Sequence, residues 1–131
     1  MGDHAESLLS YCDINRLILV DVWLNPICEG YCEGRLGRWR NKFKMHKGKS
    51  FEAVKAFEDN YFDFIYLDQE HDYISVREDL NLWWCKLKEG GVMSLRNYAV
   101  SNEGLKRAAD EFVNNKKHEI IKSCAEIIIF K

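Results

Sequence analysis

The sequence predicts a doubly wound α/β domain whose mostly parallel sheet carries an antiparallel hairpin at its C-terminal edge. Short, near-continuous apolar runs recur along the chain, helical patterns separate them, and the last two runs lie too close together for a crossover. Its 131 residues, 47% hydrophobic and 31% charged, suffice for one folded domain (1–131) and differ from the composition of disordered chains.

The apolar runs are Leu17 to Asp21 (LILVD), Phe62 to Asp68 (FDFIYLD), Val92 to Leu95 (VMSL), His118 to Ser123, and Glu126 to Phe130 (EIIIF), read as five strands. Helical spacing covers Ser7 to Tyr11, Ser50 to Glu58, Tyr73 to Leu87 and Asn102 to Asn115. In the third of these, Val76, Leu80, Trp83, Trp84 and Leu87 share a face that predicts core packing for the tryptophans; Leu105, Ala108, Ala109 and Phe112 do so in the fourth. Ser50 is placed to cap the second helix, and Gly90-Gly91 to end the third. Just Cys124 and Ala125 separate the final two strands, which must therefore run antiparallel. The segment from Asn25 to Lys49 holds the sole proline, Pro26, and four of the eight glycines, and reads as a loop with a short helix around Leu36 to Phe43.

Nineteen Lys and Arg against twenty-one Asp and Glu give a net charge of −2, so no global field attracts nucleic acid, and a nucleic-acid partner is not expected. Locally the balance differs: Arg35, Arg38, Arg40, Lys42, Lys44, Lys47 and Lys49 fall within one stretch that has no carboxylate. No apolar run approaches the roughly 20 residues that cross a bilayer, and the first residues lack a leader's basic start, so a cytoplasmic protein without membrane partners is expected. Five cysteines without a CxxC pair suggest neither a disulfide framework nor a zinc ribbon.

In a doubly wound sheet ligands bind beyond the carboxyl ends of the strands. Two strands end in aspartate. Asp21 can accept both hydroxyls of a ribose, and Asp68, followed by Gln69, Glu70 and His71, can hold a cofactor amine, a metal or a substrate proton. The alternative for each is a solvated strand-end turn.

The run FDFIYLDQEHDYISVREDLNLWWCKLKEGGVMSLRNYAV, followed by EGLKRAADEF, resembles the class I S-adenosylmethionine-dependent methyltransferases of the family 24 type. The resemblance rests on Asp68, His71, Tyr73, Asp79, Leu80, Trp83, Lys88, Gly90, Gly91, Gly104, Lys106, Arg107, Ala108, Asp110, Glu111 and Phe112, and upstream on Asp21 and Trp23 in LILVDVW. It implies a Rossmann-like methyltransferase fold, S-adenosylmethionine as cofactor, and methyl transfer to a small-molecule acceptor, at oxygen. It further implies Gly2, Asp21, Trp23, Ser50, Phe51 and Asp68 on the cofactor, His71 with Asp68 in catalysis, Tyr73, Arg96 and Asn97 on the acceptor, and a strand in Lys44 to Lys49. The basic stretch is then read as a loop over the cofactor pocket, with a grip on a phosphate backbone, aided by Trp39 and Phe43, as its alternative.

The family's glycine-rich loop and the strand before it have no counterpart beyond Gly2, so the resemblance implies a fold incomplete at its N-terminus. The strands Leu17 to Asp21 and Phe62 to Asp68 are expected to close up directly, or the chain to form a homodimer. Where metal-dependent relatives place Asp-Asn after the GGV strand, this chain has Arg96-Asn97; arginine ligates no cation, so no metal is expected. His71 reads as a general base or as a helix cap. A non-catalytic remnant acting as a binding or oligomerisation module stays open beside the enzyme.

Overall fold

A computed structural model of the chain describes residues 2–68, 72–98, 103–116, 118–123 and 125–131. The chain divides into two compact units, Met1–Ala53 and Val54–Lys131.

The first unit runs α1 (Asp3–Tyr11), β1 (Leu17–Asp21), α2 (Pro26–Arg35), β2 (Phe43–Lys47) and α3 (Ser50–Ala53). β1 and β2 pair in parallel from Leu17↔Phe43 to Asp21↔Lys47. Ala5 and Leu9 of α1, Cys32 of α2, Trp23 and Leu36 form a core, against which Leu17, Leu19, Phe43 and Met45 of the strands pack. The expectation of a loop with a helix around 36–43 is corrected here. The helix begins at Pro26, because Asn25 accepts the Ile27 N–H at 2.9 Å and Pro26 occupies a first-turn position where its missing N–H costs nothing. Gly30 and Gly34 weaken the helical pattern and hide it from a periodicity reading. Gly37–Trp39 is a single 3-10 turn, and β2 follows where the resemblance implied a strand.

The second unit opens with a 3-10 turn at Val54–Ala56 and continues with β3 (Phe62–Leu67), α4 (Tyr73–Lys86), β4 (Leu87–Arg96), α5 (Glu103–Lys116), β5 (Ile120–Lys122) and β6 (Glu126–Phe130). The strand order is β3-β4-β6-β5, with β3 and β4 parallel and the other pairs antiparallel. The chain thus has the α/β fold, with parallel strand–helix–strand units and a C-terminal antiparallel hairpin. Val76, Leu80, Trp83 and Trp84 of α4 and Leu105, Ala108, Ala109 and Phe112 of α5 are buried, as are Ile65, Leu67, Met93, Leu95, Ile127 and Ile129 of the sheet. Trp84 meets Phe112 edge-on at 5.2 Å between centroids.

One further expectation is corrected. Gly90-Gly91 does not end α4: the helix stops at Lys86, and the glycines lie inside β4, where the pairing jumps from Phe62↔Leu87 to Phe64↔Val92. Gly90 has φ +75°, and a Cβ on Gly91 would lie 2.8 Å from Leu87 Cδ1 and from the Lys88 carbonyl oxygen, so this turn of chain needs glycine at both positions. In the first unit β1 finds its parallel ladder with β2 across the crossover helix α2, and in the second β3 finds its own with β4 across α4.

The C-terminal residue fastens the second unit. Lys131 exchanges backbone hydrogen bonds with Gly90 and Gly91, and its ammonium donates to the carbonyls of Trp84 at 3.0 Å and Leu87 at 2.6 Å, capping the end of α4. With its side chain 11% exposed, little water can replace it. Lys131→Met keeps the apolar stem and removes the donors, and is expected to lower the unfolding free energy by about 1 to 3 kcal/mol in urea titrations.

Candidate functional site

In the first unit, one end of the sheet gathers three of the expected cofactor residues, Asp21, Ser50 and Phe51. Asp21 closes β1 as an exposed residue whose Oδ1 accepts the Trp23 N–H at 2.9 Å, which orients the side chain. The Gly48 N–H donates to the Asp21 carbonyl at 2.9 Å, bringing the turn into α3, with Ser50 and Phe51, to the same end. Phe51 is 43% exposed, with the Lys49 ammonium 5.8 Å from its ring centroid. Gly2 precedes α1 at φ +75°, where a Cβ would meet Cys32 Sγ at 3.1 Å, and no side chain caps the helix. Burial raises the Cys32 thiol pKa, and the Asp21 and Asp3 carboxylates add to this.

Trp23 is placed differently from a stacking platform. It is buried in the first unit's core at φ +47°, and its indole N–H has no hydrogen-bond partner among the described residues.

In the second unit, Asp68 follows β3 and Arg96 ends β4; Arg96 Nη1 donates to Asp68 Oδ2 at 3.1 Å. The guanidinium expected to take a substrate anion thus already holds the carboxylate expected to face the cofactor. Asn97 adopts φ +64°, which asparagine tolerates, and its N–H donates to the Ala125 carbonyl at 2.6 Å. The Tyr73 hydroxyl donates to Glu111 at 2.6 Å, with the Arg107 guanidinium 4.6 Å over its ring. Hydrogen bonds from Tyr73 and then Arg107 hold the Glu111 carboxyl below the usual range. His71 lies outside the described residues. Among the described residues no group of three His, Cys, Asp or Glu could hold a metal ion.

A polar cluster that the sequence reading missed joins these strands. Glu126, at the start of β6, accepts the Tyr66 hydroxyl at 3.2 Å and the buried Ser94 hydroxyl at 3.3 Å. Tyr66 lies on β3 two residues before Asp68, Ser94 and Arg96 alternate on β4, and Glu126 pairs with Arg96, so period-two spacing was the signal available. Burial, then the Glu126 carboxylate, pushes the Tyr66 hydroxyl up to about 12. On α5, Asp110 accepts from the Tyr98 hydroxyl at 2.6 Å and, on the same oxygen, from the Lys122 ammonium of β5 at 2.7 Å.

Parallel strand–helix–strand units with aspartates at their carboxyl ends have the arrangement in which open α/β sheets place ligand sites. The profile of methyltransferase family 24, described as a methyltransferase domain, matches residues 4–98. The chain belongs to this family. No curated protein matches it in sequence. Among solved structures, a protein of Corynebacterium glutamicum is similar with a TM-score of 0.73 at 9% identity, over 88% of this chain and 60% of its own. Precorrin 8w decarboxylase of Methanobacterium thermoautotrophicum is similar at 0.68 and 16% identity, over 97% and 74%. An O-methyltransferase of Bacillus cereus, in complex with S-adenosylhomocysteine, is similar at 0.61 and 12% identity, over 88% and 63%. At these identities the likeness is one of fold, and the chain spans about 60% of the length of the first and third. Among the described residues no helix is long and apolar enough to cross a membrane.

The Tyr66 environment sets a pH dependence. Tyrosine ionises near 10 when unfolded, and a folded value near 12 means that its contribution to stability is complete below pH 10 and is lost as the pH rises toward 12. Spectrophotometric titration is expected to show one tyrosine ionising well above the rest, absent from Tyr66→Phe, whose stability falls less steeply between pH 10 and 12.

Proposed function

We propose that the chain binds S-adenosylmethionine, the cofactor of its family, with the adenosyl half at the carboxyl end of β1, and transfers the methyl group to a small-molecule acceptor at oxygen. The observation that carries this reading is Asp21: a strand-end carboxylate, oriented by the Trp23 amide and open to solvent, in a chain that belongs to a methyltransferase family.

The residues of the first unit fit an adenosyl group. Asp21 suits a vicinal diol, the exposed Phe51 ring suits a base, and the Gly2 position lets backbone approach where a Cβ would crowd Cys32. The cofactor supplies a methyl group already activated on a sulfonium, so the chain's own task is to orient the reactants, exclude water and accept the acceptor's proton. In this reading His71 takes that proton, Asp68 shares in the catalysis, and Tyr73, Arg96 and Asn97 meet the acceptor. The Arg96–Asp68 ion pair must then open when ligands bind.

That same pair favours a second reading, a cofactor-binding module without transfer, because it leaves Asp68 engaged. Calorimetric titration with S-adenosylhomocysteine tests the first step. Saturable binding is expected, weakened about 10- to 100-fold by Asp21→Ala, as the loss of charge-assisted hydrogen bonds requires; no heat and no thermal stabilisation at millimolar ligand would end both readings. His71→Ala separates them, since it is expected to lower turnover by about 10² to 10⁴ with binding retained, whereas a module shows no turnover in either form.

A further inference from the structure

The basic stretch of the first unit divides into two sets of cations. Arg35 bonds Asp3 at 2.6 Å and Glu6 at 3.2 Å, Arg38 reaches Glu6 at 3.8 Å and the Ser10 hydroxyl at 3.2 Å, and Lys47 bonds Glu29 at 2.7 Å. These three tie α1, α2 and β2 together. Arg40, Lys42 and Lys44, joined by Arg16 from the start of β1, are exposed and have no carboxylate at ion-pair distance among the described residues.

Their placement overturns the expectation of a loop over the ligand end. The Leu17 N–H donates to the Lys42 carbonyl at 2.8 Å, the Lys42 N–H to the Trp39 carbonyl at 2.7 Å, and Ile18 pairs with Lys44. The four cations therefore lie at the amino ends of β1 and β2, opposite Asp21. Lys44 stands on β2 and Lys42 in the turn just before it, two residues apart in the chain. The connection between α1 and β1 adds one carboxylate, Asp13, leaving a clear local excess of positive charge.

Flat groups border the cations. The Arg38 guanidinium lies 3.8 Å over the Trp39 ring, and Tyr11, next to the Ser10 that Arg38 bonds, is 88% exposed. Exposed cations gathered at one end of a strand pair, beside aromatic and guanidinium planes, are the equipment for a phosphodiester backbone with unstacked bases. Phe43 and Met45, the apolar residues between the cations, pack into the core and leave no anchor for a bilayer.

We propose that this end of the first unit binds single-stranded nucleic acid, with Arg16, Arg40, Lys42 and Lys44 on phosphates and Tyr11 with the Arg38–Trp39 stack against bases. This surface is independent of the cofactor end and of the methyl-transfer reading.

Fluorescence anisotropy with a labelled 20-nucleotide RNA of mixed sequence tests it. Binding at 50 mM salt is expected to weaken with a log–log salt slope near −3, about −0.7 for each of four phosphates. The fourfold variant Arg16→Ser, Arg40→Ser, Lys42→Ser, Lys44→Ser is expected to bind at least tenfold more weakly, whereas Lys55→Ser with Lys106→Ser, cations of the second unit, leaves affinity within twofold. Tyr11→Ala is expected to lose about fivefold. Should the fourfold variant lose its native circular dichroism, the single reversals Lys44→Glu and Arg40→Glu are each expected to cost threefold or more. No binding at 50 mM salt, a flat salt slope, unchanged affinity in the folded variants, or phosphatidylserine vesicles competing with the RNA more effectively than unlabelled RNA does would overturn the proposal.

Discussion

β1 and β2 run parallel through five residue pairs, and β3 runs parallel to β4, so no tight turn can join either pair. Each needs a crossover, supplied by α2 in one unit and α4 in the other. The chain must then leave the end of each first strand through a loop, which is why Asp21 and Asp68 stand at strand ends with exposed carboxylates. The candidate site follows from this constraint. Without parallel pairing, the same aspartates would be ordinary turn residues.

Electrostatics act differently at the two strand ends. At Asp21 the partner is a backbone amide, which orients the carboxylate without neutralising it. At Asp68 it is the guanidinium of Arg96, and both side chains are about half exposed, so water and salt weaken the pair and ligands can compete for either member. The cluster around Glu126 is more enclosed, and by fixing Tyr66 and Ser94 it sets the register in which Asp68 and Arg96 meet. Polar residues here serve to position neighbouring strand ends.

The fold was largely legible because its strands are apolar runs that stop sharply: Leu17–Asp21 and Glu126–Phe130 fall where the pattern put them. The two-residue gap at 124–125 dictated the hairpin. What escaped was carried by single residues. Asn25-Pro26 starts α2, but the glycines that follow dilute its periodicity, and Gly90-Gly91 imitates a helix end while lying inside a strand. Of the candidate residues, Asp21 at the end of β1 and Phe51 in α3 stand at one end of the first unit's sheet, as a reading of strand ends expects. The ion pair of Arg96 with Asp68 could not be read in this way, because the residues are 28 apart and only the parallel register makes them neighbours.

The central claim is that the carboxyl end of β1 is a nucleoside-binding end. Amide chemical-shift mapping with S-adenosylhomocysteine tests it most directly, since Trp23 and Gly48 donate their N–H groups to Asp21 and report on any ligand that engages it. The account predicts saturable shifts of the Trp23, Gly48 and Phe51 amides with one dissociation constant. Unmoved resonances at these three positions, with shifts confined to other parts of the chain or absent at millimolar ligand, would contradict it.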